Sequence, residues 1–250
     1  MKHTHICRIV SVEEIIKDTF DVVVEFPEDS QPGQFVHILC GGDSLLRRPI
    51  SICDSGEGWL RFIFAVKGSG TKFLAQKKAG DTLDVLGPLG TGFSVNKSGN
   101  GTAILIGGGI GIFPLIKLAK NLSTKVNAIL GFRTKDLMIM QDDFEKVCDA
   151  VSIATDDGSF GTHGLVTDVL KEKIKTDNIT SIYACGPMPM MSEIKKIAEA
   201  NNIFCELSLE ERMGCGIGAC AVCVCKANGL NVKVCQMGPV FNCKEVFNDA

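Results

Sequence analysis

The chain has 250 residues, 45% of them hydrophobic and 22% charged, a globular composition that excludes a disordered chain. The formal net charge is −3, so nothing points to nucleic acid or an anionic membrane surface as a partner. No apolar run approaches the roughly 18 residues of a membrane span, and Met1-Lys2-His3-Thr4-His5 lacks the apolar core of a secretory signal. With no such signal, 12 cysteines point to metal ligation and reduced thiols rather than disulfides, and hence to the cytoplasm.

Residues 1–97 read as β. Ile6–Val10, Thr19–Phe26, Phe35–Leu39 and Leu60–Val66 are strand-forming segments, separated by turns at Pro27, Gln31-Pro32-Gly33-Gln34 and a glycine-rich stretch before Leu60. Their spacing predicts a small antiparallel barrel with one helix, at Thr71–Gln76. The polar run Asn96–Gly101 is read as a linker. Residues 98–205 then alternate strand and helix. Thr102–Ile106 is a continuous apolar strand of the buried parallel type, and Gly107–Gly111 turns into a helix at Ile112–Lys120. Further strands fall at Val126–Phe132, Ala150–Ala154 and Ser181–Cys185, with helices at Gly164–Lys175 and Met188–Asn201. This pattern predicts an α/β unit with a parallel sheet. Residues 206–250 are rich in Cys and Gly and read as a small cluster-binding module. The fold class is α+β multidomain, in that order.

Three stretches carry chemistry. Cys215, Cys220 and Cys223 stand at C-x4-C-x2-C spacing with Cys235 after them, the ligand spacing of a plant-type [2Fe–2S] centre. Structural zinc prefers paired short C-x2–4-C hooks and is the plainer alternative. Cys225 and Cys243 lie in the same module, Cys243 as a competitor for the fourth position. The second stretch is the glycine turn Gly107-Gly108-Gly109-Ile110-Gly111, where backbone N–H groups could face a dinucleotide pyrophosphate. It lacks the G-x-G-x-x-G spacing, so a plain tight turn is the competing reading. Cys185-Gly186-Pro187-Met188 ends a later strand, where ligands of parallel sheets gather, so Cys185 faces a bound ligand or is a small buried hydrophobe. The third stretch is Arg47-Arg48-Pro49-Ile50-Ser51, an arginine fork suited to pyrophosphate with a hydroxyl that reaches a flavin ring nitrogen, backed by Gly68-Ser69-Gly70-Thr71. His3, His5, His37 and His163 are scattered and read as surface or loop residues.

In this order the motifs resemble the ferredoxin–NADP reductase superfamily with an appended [2Fe–2S] module. More narrowly, they resemble the family of electron-transfer subunits of type B dihydroorotate dehydrogenase. The resemblance covers residues 5–247. It rests on Arg48–Ser51, Leu86-Gly87-Pro88-Leu89-Gly90 with Gly92-Phe93, Gly107–Gly111, Cys185–Pro187, Glu211–Gly216, and Val234-Cys235 leading into Gly238-Pro239-Val240-Phe241.

The resemblance implies that Arg48, Pro49, Ile50 and Ser51 touch FAD, that Ile63, Phe64 and Ala65 line it, and that Gly70 and Thr71 hold its pyrophosphate. An arginine is expected where Ala65 stands; this departure puts one phosphate contact in question and leaves more of the load on Arg48 and the Gly70 amide. It further implies NAD(H) at Gly107, Gly108, Gly109, Ile110, Gly111, Cys185, Gly186, Pro187 and Met188, with Cys185 orienting the nicotinamide as the one catalytic candidate. Cys215, Cys220, Cys223 and Cys235 ligate the cluster, the family pattern selecting Cys235. The implied partner is an FMN-containing dihydroorotate dehydrogenase catalytic subunit in a 2+2 heterotetramer, serving pyrimidine biosynthesis. Another flavin and iron–sulfur reductase subunit, of the ferredoxin-NADP reductase, bifurcating transhydrogenase or sulfide dehydrogenase kind, is the alternative, and a non-catalytic zinc module is a third. For NAD against NADP, Asp136 could accept from ribose hydroxyls while Arg133 and Lys135 could serve a 2′-phosphate.

Overall fold

In the computed structural model, which describes residues 3–41, 45–96 and 100–247, the four strand-forming segments of the first third become strands and are joined by two that were not anticipated, at Arg48–Gly56 and Thr82–Leu89, giving six antiparallel strands. These are β1 (Thr4–Ile16), β2 (Thr19–Glu25), β3 (Phe35–Ile38), β4 (Arg48–Gly56), β5 (Trp59–Ala65) and β6 (Thr82–Leu89). They close into a barrel in the order β1-β2-β5-β4-β3-β6, which leaves no open edge to recruit another chain. Ile9, Val24, Val36, Ile38, Ile52, Leu60 and Phe62 fill its interior, β-branched and aromatic residues that pack well on a pleated surface. The expected helix forms as α1 (Ser69–Leu74). Residues 97–99 of the expected linker lie outside the described residues.

Next in chain order come β7 (Thr102–Gly108), α2 (Leu115–Asn121), β8 (Lys125–Phe132), α3 (Gln141–Val147), β9 (Ala150–Thr155), β10 (Thr162–His163), α4 (Val166–Thr176), β11 (Ile179–Cys185), α5 (Met188–Ala200) and β12 (Phe204–Ser208). The last part adds β13 (Val224–Ala227), β14 (Leu230–Lys233), α6 (Val234–Met237) and β15 (Val240–Asn242). The sheet order β10-β9-β8-β7-β11-β12-β15 is a doubly wound parallel sheet, with β15 added antiparallel at one edge. Thus β12 crosses the expected division at 205/206, and the terminal residues return to the central sheet through β15.

Other details also differ from the sequence expectation. The helix after the glycine turn begins at Leu115, not Ile112: a 3-10 turn spans Gly109–Ile112, and Pro114 takes the N-cap. Proline lacks the N–H a helix interior requires but is tolerated at a helix start. Helix α3 was not anticipated, since its only fully buried side chain is Phe144 and it shows no apolar stripe. The β13–β14 hairpin also escaped, although Asn228-Gly229 is its signature. Both residues have positive φ, 51° and 73°, as a two-residue type I′ turn requires.

The units share their cores. One cluster joins Phe35, Leu86 and Leu89 of the barrel to Ile104, Ile182 and Ile194 of the sheet unit and to Cys223, Val234 and Cys235 of the terminal module. Another joins barrel residues Cys53 and Ile63 to Leu105, Leu115 and Tyr183. Polar ties reinforce this. Arg61 on β5 grips Asp21 through Nε and Nη2 (2.9 and 2.6 Å) and reaches Asp143 on α3 (3.3 Å). Glu206 on β12 accepts from the backbone N–H and hydroxyl of Ser94. The motifs Leu89-Gly90 and Gly238-Pro239 pack on each other: a Cβ at Gly90 would lie 2.5 Å from the Gly238 carbonyl. Replacing fully buried Ile104 by Ala is expected to destabilise the chain by about 2–5 kcal/mol, read as a lowered denaturant midpoint.

Candidate functional site

The sheet order reverses between β7 and β11, and their carboxyl ends open on a cavity of about 700 Å³. Open parallel sheets bind ligands at such a switch point. Of the residues expected here, Gly108, Gly109, Ile110, Gly111, Gly186 and Pro187 line it. Gly107 and Cys185 pair across β7 and β11 and sit behind the wall. Met188 is half exposed and does not line the cavity; Met190, two residues on, does. Gly111 is fixed by packing, since a Cβ would stand 2.4 Å from the Cys185 carbonyl. A Cβ on Gly109, by contrast, would meet nothing within 4 Å, so this part of the loop is open for a ligand to approach its backbone. Arg133 and Asp156, which follow the paired ends of β8 and β9, line the cavity as well, whereas Asp136 does not. Glu210 also lines it; no spacing rule would have found it, because it follows β12 in an irregular stretch.

Cys185 is buried, and burial, followed by the charge of Glu210, pushes its thiol up to about 12 despite an opposing hydrogen bond with the Ser208 side chain. It is a neutral thiol at physiological pH. It can pack and orient, but it is not a thiolate nucleophile.

The barrel meets the cavity through Thr19, Ala65 and Lys67. Along β5 the side chains alternate. Ile63 enters the core shared with the sheet, Phe64 stacks on Phe20 inside the barrel (centroids 5.7 Å apart), and Ala65 faces the cavity. On β4, Arg48, Pro49 and Ser51 are half-buried and Ile50 belongs to the barrel core. The arginine fork is split. Arg47 is engaged in the barrel, pairing with Asp84 (2.9 Å) and donating to the carbonyls of His37 and Asp84. Arg48 lies over Gly70, where a Cβ would come within 2.8 Å of its Nε, and it donates to the Leu46 carbonyl (2.7 Å). Arg48 and the Gly70 backbone, both expected at the FAD pyrophosphate, are thus neighbours. The Thr71 hydroxyl is used locally, accepting from the Lys67 and Gly68 N–H groups and donating to the Gly68 carbonyl.

The four candidate ligands lie on the loop between β12 and β13 and on α6, and they form two pairs. The Cys220 Sγ is 3.3 Å from the Cys215 Sγ, and the Cys220 N–H also donates to it (3.3 Å). The second pair is Cys223 and Cys235, whose thiols are hydrogen-bonded; burial, then this bond and the Cys223 charge, push Cys235 up to about 12. Burial also works against the Cys215 thiolate. It is outweighed by the backbone N–H groups of Cys220, Ile217 and Ala219 and by the Cys220 thiol, which bring Cys215 down to about 6. Among the described residues, no three or more His, Cys, Asp or Glu converge at single-ion spacing. Two pairs of thiols suit two metal atoms better than one tetrahedral ion. Cys243 faces elsewhere: it is hydrogen-bonded to Cys205 in the core, each 1% exposed. Cys225 lies on β13.

His37 corrects the reading of the histidines as surface or loop residues. It lies on β3, is 0% exposed, and rests against the cluster loop: a Cβ on Gly216 would stand 2.6 Å from its Nδ1. Its setting within Phe35-Val36-His37-Ile38 was the sequence signal for burial.

Two family models match the chain. The oxidoreductase NAD-binding domain matches residues 105–196, and the iron–sulfur cluster binding domain of dihydroorotate dehydrogenase B matches residues 210–247. The fold is also that of a ferredoxin NADP+ reductase from Neisseria gonorrhoeae, at 17% identity and TM-score 0.67 over 80% of this chain and 92% of that one. The chain is thus an NAD-binding oxidoreductase of ferredoxin-reductase fold with an iron–sulfur domain. The dihydroorotate dehydrogenase B (NAD(+)) electron transfer subunit of Bacillus caldolyticus is 46% identical over 230 residues, 88% of each chain. A solved NADH-dependent reduced ferredoxin-NADP oxidoreductase, described for flavin-based electron bifurcation, is 34% identical with TM-score 0.87 over 98% of this chain and 91% of that one. The chain belongs to the family of electron transfer subunits of dihydroorotate dehydrogenase B. Among the described residues no helix is long and apolar enough to cross a membrane.

The thiol environments predict an alkylation pattern. In cluster-free protein, Cys215 should react with iodoacetamide at a rate that rises from pH 5 and levels off above pH 7, its thiolate being favoured above about pH 6. Cys185 should react only on unfolding. Peptide mass mapping across pH reads both.

Proposed function

We propose that this chain passes electrons between NAD+ and an FMN-containing dihydroorotate dehydrogenase catalytic subunit, in a 2+2 heterotetramer, using FAD on the barrel and a [2Fe–2S] cluster on the terminal module. The observation that carries the proposal is that one barrel reaches both neighbouring sites. Ala65 on β5 faces the nucleotide cavity, and His37 on β3 rests on the cluster loop. When bound, the flavin exchanges electron pairs with the nicotinamide and the cluster carries electrons singly.

The residues of the chain bind and orient. Arg48, beside the Gly70 backbone, supplies a cation for the flavin pyrophosphate, and Thr71 fixes the turn that presents that backbone. Pro49, Ile50 and Ser51 lie along the flavin edge on β4; Ile63 and Phe64, whose side chains are committed to two cores, offer it the backbone of β5. Gly107 and Cys185 hold the ends of β7 and β11 together, so that the amides of Gly108–Gly111 and the Gly186-Pro187 turn face the dinucleotide. Cys185 packs beneath the nicotinamide as a neutral thiol, and Met188 serves only the start of α5. Asp156 accepts from the adenosine ribose hydroxyls, which favours NAD over NADP. Cys215 and Cys220, and Cys223 with Cys235, would hold the cluster as two thiol pairs. The exposed apolar side chains of Ile217, Val222 and Met237 around this loop are where the catalytic subunit docks.

The 34%-identical ferredoxin-NADP oxidoreductase favours a second reading, the same cofactors serving another acceptor. The two readings separate on co-purification with the partner. Dihydroorotate-dependent NAD+ reduction supports the first, and activity with another acceptor alone supports the second. The purified chain should show flavin absorption bands with broad iron–sulfur shoulders. Cys220→Ser should abolish partner reduction while NADH still bleaches the flavin in stopped-flow absorbance. Equal loss of both activities with FAD retained would contradict this order of stations.

A further inference from the structure

His37 carries an unsolved hydrogen-bonding problem. The side chain is fully buried on a barrel strand, and neither Nδ1 nor Nε2 has a hydrogen-bond partner. An unpaired buried polar group costs on the order of 1–3 kcal/mol, and buried polar groups are nearly always paired. Its surroundings narrow the missing partner. On β3 it is flanked by Pro49 of β4 and Leu86 of β6, which are aligned with it in register. The Leu89 side chain and the Gly216 backbone close the other side, since a Cβ on Gly216 would meet both the imidazole and Leu89 Cδ1. The charged groups that act on the ring are Arg47 and Arg48, both cations and neither an acceptor. The carbonyls of Cys215 and Arg47 face the ring without closing a hydrogen bond. An imidazole carries at least one N–H in either protonation state, so the ring has a donor to place.

We propose that His37 donates this N–H to a sulfur of the iron–sulfur cluster held beside Cys215, and so acts as a positioning residue that seats the cluster loop on the flavin-bearing barrel and raises the cluster's reduction potential. The inference rests on the reading of Cys215–Cys235 as the cluster site. It follows from two independent features: an orphaned, fully buried donor, and direct packing of that ring on the residue after a candidate ligand. Hydrogen bonds to cluster sulfurs stabilise the reduced, more negative state and are among the protein's means of setting the potential. Positive φ at Gly216 (72°) lets the loop turn against the ring, and the lack of a Cβ there leaves room for the imidazole.

The test uses the cluster-loaded protein. In an EPR-monitored redox titration, His37→Phe, which keeps a ring and removes the donor, should lower the reduced-to-oxidised ratio of the cluster at fixed poise about tenfold. That is a downward shift of about 59 mV for a one-electron couple. His37→Gln, which retains a donor, should recover part of the shift. In wild-type protein labelled with 15N-histidine, pulsed EPR of the reduced cluster should show one weakly coupled histidine nitrogen, absent from His37→Gln. An unchanged potential in His37→Phe with the cluster retained, or no histidine coupling in the wild type, would overturn the proposal. If His37→Phe fails to fold or load, the labelled wild-type spectrum decides alone. A wild-type protein without iron–sulfur absorption would instead remove the underlying cluster reading, an outcome distinct from a cluster that His37 does not touch.

Discussion

The cluster loop is held from both sides by groups that belong to other parts of the chain. On one side Thr91, just past the last barrel strand, donates its N–H to the Gly238 carbonyl (2.6 Å) and its hydroxyl to the Met237 carbonyl (3.0 Å). On the other, β15 pairs with β12, and the Leu209 N–H donates to the Pro239 carbonyl (2.8 Å). A short, cysteine-rich segment cannot bury enough apolar surface to fix itself. Here its stability comes from a core shared with Phe35 and Leu89 of the barrel and Leu207 of the sheet. The separation of the thiol pairs from the barrel is set by this packing, not by the loop. Electron-transfer function depends on such fixed separations, which accounts for so much polar and apolar contact between units that a reading by motifs treats as separate.

Within this frame the nucleotide side is built differently. Its cavity is a gap between β-barrel and sheet, lined by Thr19 and Ala65 on one wall and Gly108–Gly111 on the other. The small side chain at Ala65 leaves that wall open, while Arg61, two strand positions of the same face earlier, is consumed in the Asp21–Asp143 clamp that joins barrel to α3. Of the adjacent pair Arg47 and Arg48, Asp84 holds the first, which leaves Arg48 as the guanidinium beside Gly70.

Much of this was legible in the sequence because it depends on local rules. Strand alternation, the apolar run Thr102–Ile106, the glycine turn and the cysteine spacing each have a direct physical meaning. The features that were not legible depend on tertiary partners. Arg47 and Arg48 are adjacent and chemically alike, and only the position of Asp84 across the barrel separates their roles. Cys235 and Cys243 are both cysteines beyond the C-x4-C-x2-C run. What sets them apart is that β15 delivers Cys243 to Cys205 in the core, whereas α6 delivers Cys235 to Cys223. His37 looked incidental because it belongs to none of the motifs, yet it packs on a residue far along the chain. The Asn228-Gly229 hairpin was a plain local signal left unread.

The return of the chain as β15 bears on how such a protein can be taken apart. Iron–sulfur modules are often pictured as cassettes, joined to or cut from a reductase at a linker. Here the module supplies the outermost strand of the sheet whose other strands carry the nucleotide turn. Excising it would leave β12 as a bare edge and strip the cover from Leu207 and Phe35, exposing the kind of surface that pairs with strangers. Any transplant of the cluster between reductases has to carry this strand and its seat with it. The terminal module is thus built into the sheet that it helps to close, through β15 on β12.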